Sequence, residues 1–159
     1  MVKTIKPRLQ DLTKKLKSIK AKDIMSTEVV STSEQATLAE IAELMVRTRI
    51  SGLPVLDKKE KVVGVITATD LFIVMDMIKF GNVVENHMQT VSNPTARFAM
   101  STNVIKVKES TTLDEIISMT KYHNAHTLLV FRKGKLMGII GRHDIFKNFY
   151  AAVKALNNK

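Results

Sequence analysis

The sequence predicts an α+β fold made of two tandem β-α-β-β-α units that follow an N-terminal amphipathic helix. The main observation behind this prediction is an internal repeat, and the second is that each copy alternates strand-like and helix-like apolar patterns. Met25-Ser26-Thr27 recurs as Met100-Ser101-Thr102, and Leu38-Ala39-Glu40-Ile41 recurs as Leu113-Asp114-Glu115-Ile116, both 75 residues later. Gly64 to Asp70 recurs as Gly138 to Asp144, 74 residues later. Two copies of one unit therefore make up the body of the chain.

Composition indicates a soluble globular protein. A chain of 159 residues can bury about 70% of its unfolded surface, and 45% hydrophobic with 25% charged residues is ordinary for that class. The lack of cysteine excludes disulfides and thiolate chemistry and fits a cytoplasmic location. The lysine-rich start does not fit a signal peptide, and the longest apolar stretch, Leu71 to Ile78, is far below the roughly 20 residues of a membrane span. We therefore expect a cytoplasmic protein without a membrane span.

Residues 1–20 are predicted to form a basic amphipathic helix. Residues 1–22 hold eight lysines and arginines against Asp11 alone, so they carry +7 of the formal net charge of +10. Apolar residues recur three or four apart, at Leu9, Leu12, Leu16 and Ile19. The interpretation that we favour is that this stripe packs on the body or on a second subunit. The alternative is a surface that binds nucleic acid or anionic lipid, with the body as a scaffold.

The order of elements can be predicted within each copy. A short β-branched stretch leads to a helix whose apolar face in the first copy is Leu38, Ile41, Ala42, Met45 and Val46. Thr37 and Thr112 are predicted helix N-caps, with Glu40 and Glu115 completing capping boxes. Two strands and a last helix follow in each copy. The predicted boundaries are 21–78 for the first unit, 79–97 for a linker, 98–150 for the second unit and 151–159 for a C-terminal tail. Because one such unit is small, we expect the two sheets to pack together as one pseudo-symmetric module.

Asp70 and Asp144 each lie where a strand ends and a helix begins. A carboxylate there can cap the helix, or it can accept hydrogen bonds from the hydroxyls of a ligand. The repeat does not separate these two interpretations, because a cap would recur as well. Thr67 likewise either bonds within its own turn or contacts a ligand.

These motifs resemble the cystathionine-β-synthase (CBS) domain family, with the two copies forming a CBS pair, or Bateman module. The first copy carries the resemblance in Asp23-Ile24-Met25, in Ile50-Ser51-Gly52-Leu53-Pro54-Val55 and in Gly64 to Asp70. The second copy departs from the family pattern at three places. Leu129 stands where the family usually has proline, Phe98-Ala99 replaces the opening Asp-Ile, and Gly141 replaces the usual Thr or Ser. The resemblance covers about residues 20–150. It implies two clefts between units related by a pseudo-twofold, adenosine-containing ligands and dimerisation through helices.

The resemblance also implies the residues of the two clefts. One would combine Thr67 and Asp70 with Ser101, Lys106, Ala125, His126 and Thr127. The other would combine Asp144 and Gly141 with Ser26, Ser31, Ile50, Ser51, Gly52 and Leu53. Arg142 and His143 lie beside Asp144 at a helix N-terminus, where phosphate binds favourably.

We therefore predict a non-enzymatic regulatory module that binds AMP, ADP or ATP, forms a homodimer and acts on a partner protein that the sequence does not identify. It requires no cofactor. The four scattered histidines do not form a helical zinc pair, and neither a nucleophile elbow nor a phosphate-binding glycine loop is present. A catalytic trio of Asp144, His143 and Ser26 can be drawn, but a chain of this length offers such trios by chance. The basic N-terminal segment keeps nucleic acid as a second choice of partner.

Overall fold

A computed structural model describes residues 9–79 and 94–157 of the chain. The described residues fall into two compact units. The middle unit is Val30–Val104, and the outer unit joins Met1–Val29 to Ile105–Lys159. Most of the predicted linker, 79–97, lies outside the described residues. Among the described residues, none of the helices has the length and apolar character that a membrane span requires.

The middle unit contains one three-stranded sheet with helices packed against it. Its elements are β1 (Thr32–Ser33), α3 (Leu38–Thr48), β2 (Gly52–Leu56), β3 (Val62–Thr67), α4 (Ala68–Lys79) and α5 (Ala96–Ala99). β2 is the central strand, parallel to β1 and antiparallel to β3. Ile41, Leu53, Val55 and Ile66 are fully buried in its core. The predicted β-α-β-β-α order is therefore confirmed for this copy.

The outer unit repeats this sheet and adds the N-terminal helices. Its elements are α1 (Leu9–Ser18), α2 (Ala21–Ile24), β4 (Lys106–Lys108), α6 (Leu113–Tyr122), β5 (Thr127–Arg132), β6 (Lys135–Gly141) and α7 (Arg142–Asn157). β5 is central, parallel to β4 and antiparallel to β6. Lys133 and Gly134 both have positive φ in the two-residue loop between β5 and β6, as a tight hairpin turn requires. α7 extends through most of the segment that the sequence predicted as a tail.

Each sequence repeat begins with a short stretch, Met25-Ser26 or Met100-Ser101, that we call its leading segment. The leading segment of each repeat packs on the β-hairpin of the other repeat. In the outer unit, Ser26 pairs with Ile139 through two backbone hydrogen bonds of 2.9 and 3.0 Å. In the middle unit, Ser101 pairs with Val65 in the same way at 2.9 Å. The repeats in the sequence and the compact units in space are thus different divisions of the chain.

α1 packs on the outer unit through its leucine stripe. Leu16 is buried, and Leu12 and Ile19 are half-buried against the core that contains Ile145. Leu9 is 81% exposed at the start of the helix. The interpretation that the stripe packs on the body is confirmed for Leu12, Leu16 and Ile19.

The predicted helix ends are confirmed at α3 and α6, while one predicted core position is wrong. The backbone N–H groups of Thr37 and Thr112 donate to Glu40 and Glu115 at 2.8 and 2.7 Å, so both capping boxes form. Val46, which we predicted on the apolar face of α3, is 80% exposed. At about 100° per residue it lies roughly 140° around the helix from the buried Ile41.

Candidate functional site

The first candidate site is the turn between β3 and α4. The backbone N–H and the Oγ1 hydroxyl of Thr67 both donate to Oδ2 of Asp70, at 2.7 and 2.8 Å. The N–H of Asp70 returns a longer bond of 3.4 Å to Thr67 Oγ1. Asp70 is therefore the third residue of the helix, and Thr67 is its N-cap, which refines the sequence prediction that the helix begins at Asp70. The turn is a capping box with Asp in the place of Glu.

The second candidate site is the equivalent turn between β6 and α7. The backbone N–H of Gly141 donates to Oδ2 of Asp144 at 2.8 Å. Because Gly141 has no hydroxyl, the reciprocal bond seen at Thr67 has no counterpart here. This turn is thus half of a capping box, and the helix begins at Arg142 instead of Asp144.

Both Asp side chains form the cap through one oxygen only. Oδ1 of Asp70 and Oδ1 of Asp144 accept no hydrogen bond from any residue that the structure describes. Both residues are half-buried. Since a carboxylate has about four acceptor positions, capping and ligand binding are compatible at the same residue.

Arg142 is held in place beside the second turn. Its Nε donates to the carbonyl oxygen of Ala125 at 3.2 Å, and its Nη2 donates to Oδ1 of Asn124 at 3.0 Å. These bonds use two of the five guanidinium N–H donors and leave three for another acceptor. Sequence reasoning missed Asn124, whose backbone is left-handed with φ 48°. The available signal was that Asn tolerates this conformation at the end of a helix.

The start of each central strand lies directly beside its Asp turn. In the middle unit, Gly52 pairs with Thr67, and the N–H of Ala68 donates to the carbonyl oxygen of Ser51 at 2.8 Å. In the outer unit, Thr127 pairs with Gly141 in the same register. Each turn thus lies beside the start of the central strand of its own unit. The predicted clefts combine each turn with the corresponding strand of the other unit, and that combination stays a prediction.

The predicted site residues divide between the two units. The middle unit contains Ser31, Ile50, Ser51, Gly52, Leu53, Thr67, Asp70 and Ser101. The outer unit contains Ser26, Lys106, Ala125, His126, Thr127, Gly141, Arg142, His143 and Asp144. Leu53 and Ala125 are buried, while Ser101, His126 and His143 are exposed. Each predicted cleft draws on both sets, so the composition of the clefts stays a prediction.

Two further features bear on ligand chemistry. Lys106 Nζ lies 5.1 Å from the centre of the Phe131 ring, an arrangement that attracts the ammonium to the ring face. Across residues 9–79 and 94–157, no group of three His, Asp or Glu side chains has an arrangement that would hold a metal ion.

Comparisons with known proteins agree with this architecture. A model of the CBS domain matches residues 21–76 and 96–151. The "Methylated protein MJ0556" of Methanocaldococcus jannaschii is 34% identical over 140 residues, which cover 86% of this chain and 77% of that protein. The inosine-5'-monophosphate dehydrogenase of Aquifex aeolicus is 27% identical over 129 residues; the match spans 80% of this chain and about a quarter of that enzyme (24%).

Solved structures share the fold at low sequence identity. The CBS domain pair of protein MJ0100, in complex with 5'-methylthioadenosine and S-adenosyl-L-methionine, has a TM-score of 0.70 at 23% identity and covers 83% of this chain and 96% of that one. CBSX2 in complex with AMP has a TM-score of 0.67 at 21% identity and covers 86% of this chain and 98% of that one. With two CBS matches over more than half of its length, a repeated sheet and two equivalent Asp turns, this chain belongs to the CBS domain family.

Proposed function

We propose that this protein is a non-enzymatic regulatory module that binds an adenine nucleotide, such as AMP, ADP or ATP, at its two Asp turns and acts as a homodimer on a partner protein. The observation that carries the proposal is the unused Oδ1 of Asp70 and of Asp144. A ribose presents two adjacent hydroxyl donors, and a carboxylate oxygen that makes no internal bond accepts them. The relatives in complex with AMP and with S-adenosyl-L-methionine support an adenosine-type ligand.

The surroundings of the second turn favour a phosphorylated ligand over a neutral nucleoside. Arg142 retains three N–H donors, and the exposed His143 follows it in the first turn of α7. The N-terminus of this 16-residue helix also favours negative charge. In the first turn the corresponding positions are Ala68 and Thr69, which carry no charge. We therefore expect the second turn to contribute more phosphate affinity than the first.

Calorimetric titration with AMP, ADP, ATP and S-adenosylmethionine tests the proposal. The sharpest variant is the double substitution Asp70→Asn and Asp144→Asn. The Asn carbonyl oxygen still accepts the capping bond, while the other position becomes an NH₂ donor that repels a ribose hydroxyl proton. We expect the dissociation constant to rise at least about tenfold, which corresponds to the loss of about 1.4 kcal/mol of hydrogen bonding to a charged group.

The matched control is Glu40→Gln with Glu115→Gln, which makes the same carboxylate-to-amide change in two capping boxes without a predicted ligand role. This pair should leave nucleotide affinity unchanged. The proposal is wrong if none of the four compounds binds, or if the Asp double variant binds as tightly as the parent protein.

A further inference from the structure

The positive charge of the chain is concentrated in one of the two compact units. Among the described residues, the outer unit has 14 lysines and arginines against seven aspartates and glutamates, a net charge of +7. The middle unit has seven of each and is neutral. In the sequence, most of the excess positive charge lies in the N-terminal segment. The fold attaches that segment to the second repeat, which is the more basic of the two.

Backbone contacts bring three basic stretches of the sequence together at one edge of the outer unit. The N–H of Lys22 donates to the carbonyl oxygen of Glu109 at 3.1 Å. The backbone of Lys20 forms an isolated antiparallel β-bridge with that of Thr112. Lys108 pairs in register with Phe131, next to the hairpin loop between β5 and β6. These contacts place three basic stretches side by side, and we call their six cationic side chains the basic edge: Lys20, Lys22, Lys108, Arg132, Lys133 and Lys135.

The side chains of the basic edge are exposed and mostly free of carboxylates. All six residues are exposed. Within the described residues only Arg132 of the six forms an ion pair, at 3.6 Å from Nε to Oε2 of Glu109. The neighbouring Asp23 accepts a bond of 2.9 Å from the backbone N–H of Lys20. The basic edge therefore presents five cations that form no ion pair within the described residues.

The chemistry of the basic edge fits the phosphates of a nucleic-acid duplex. None of the exposed large apolar side chains belongs to residues 20–24, 106–111 or 131–136. A helix that lies in a lipid interface inserts such side chains, so their lack in these described stretches argues against a membrane. Lysine-rich surfaces bind the backbone phosphates and position the duplex, and this edge has no Asn or Gln to recognise adenine. Its one arginine, which could recognise guanine, is paired with Glu109.

We propose that the basic edge of the outer unit binds double-stranded nucleic acid through its phosphates, without sequence preference. None of its six residues belongs to the predicted nucleotide sites. The N-terminal helix α1 adds the exposed Lys14, Lys15 and Lys17 to the same unit. The middle unit offers no comparable excess of charge.

Fluorescence anisotropy with a labelled DNA duplex of about 20 base pairs, two helical turns, tests the proposal on the full chain. The variant is Lys22→Gln with Lys133→Asn and Lys135→Gln, where Asn suits the positive φ of 49° at position 133. The matched control is Lys58→Gln with Lys59→Gln and Lys61→Gln, which removes three exposed lysines from the equivalent hairpin turn of the neutral unit. Circular dichroism checks that both variants remain folded.

We expect the intact protein to bind the duplex with an affinity that falls as salt rises. Each phosphate contact contributes about −0.9 to the slope of log K against log salt, so the basic-edge variant should lower the magnitude of the slope by about 2 to 3 and weaken binding about tenfold or more. The control should bind like the parent. Three results would overturn the proposal: no salt-dependent binding of the duplex, equal weakening in the control, or association with phosphatidylserine vesicles but not with the duplex.

Discussion

At the residue scale, two glycines allow the leading segments to pack against the hairpins. A Cβ at Gly138 would lie 2.6 Å from Sδ of Met25 and 2.9 Å from the carbonyl oxygen of Ser26. A Cβ at Gly64 would lie 2.6 Å from Sδ of Met100 and 2.8 Å from the carbonyl oxygen of Ser101. A methionine side chain can move, but the backbone oxygen belongs to a paired segment that cannot. Glycine is therefore required at both positions by close approach.

We expect Gly64→Ala and Gly138→Ala each to lower the free energy of unfolding by about 1–3 kcal/mol, the usual cost of overpacking. The control is Gly141→Ser, because a Cβ there meets only Asp144 Oδ2 at an ordinary 3.6 Å. The serine hydroxyl would also complete the capping box of α7, so the free energy of unfolding of Gly141→Ser should be unchanged or slightly higher. Urea denaturation measures all three. Equal stability of Gly138→Ala and Gly141→Ser would contradict the explanation.

At the element scale, the capping boxes of α3 and α6 link helix stability to pH. The backbone N–H of Thr37 is the main cause that lowers the pKa of Glu40 below its ordinary value of 4.5, with the Thr37 hydroxyl second. Thr112 lowers the pKa of Glu115 in the same order of causes. A carboxyl whose pKa is lower in the folded state stabilises the fold fully above its unfolded pKa and loses that contribution as the pH falls through the folded pKa.

We therefore expect the parent protein to lose more thermal stability than Glu40→Gln with Glu115→Gln when the pH falls from about 5 to about 3. Gln retains the capping oxygen but does not titrate, so the difference between the two proteins isolates the glutamates. Asp57, whose pKa is also lowered, chiefly by the backbone N–H of Lys61, is present in both proteins and cancels. Parallel curves of Tm against pH would refute this assignment.

The helices that follow the last strand of each sheet, α4 and α7, each expose apolar side chains. In α4, Phe72 is 67% exposed, and Ile73, Met75 and Ile78 are each about half exposed. In α7, Phe146 is 70% exposed and Tyr150 is 67% exposed. Large apolar patches on a protein surface commonly mark interfaces, which supports the proposed homodimer.

If these faces form the dimer interface, Phe72→Ser with Phe146→Ser should convert a dimer into a monomer, because each substitution removes about 1.5–3 kcal/mol of apolar burial. Light scattering coupled to gel filtration measures the mass. Tyr122→Ser, which changes an exposed aromatic at the end of α6, should leave the dimer intact. A parent protein that is monomeric at all concentrations would exclude this part of the proposal.

At the scale of the whole molecule, the compact units predict which fragments fold. Fragment 30–104 keeps the Val65–Ser101 bridge and the fully buried Ala96. Fragment 21–78 follows the sequence repeat and lacks both. We expect the first fragment to melt cooperatively and the second to melt broadly at lower temperature, as followed by circular dichroism, because a unit of this size has little apolar burial to lose. A reversed order of stabilities would indicate that the sequence repeat is the folding unit.

The order of elements and the capping chemistry could be predicted from the sequence because each depends on residues within a few positions of one another. The repeat could be recognised because the same short motifs recur 74 or 75 residues later. The short apolar run at Val62 to Ile66, the helix period at Leu38 to Met45 and the Thr-x-x-Glu spacing are local signals. The Asp turns have a local signal for the same reason. The sequence does not separate helix capping from ligand binding at these turns, and the structure shows that capping uses only one oxygen of each carboxylate.

Only the tertiary structure decided which copy each leading segment joins. Met25-Ser26 and Met100-Ser101 are alike, and so are the strands around Gly64 and Gly138, so the local sequence of either pairing is equally favourable. The choice depends on chain connectivity and on long-range packing, which no local pattern records. That choice attaches the basic N-terminal helix to the basic repeat, and it produces the charged edge that neither stretch of sequence has by itself.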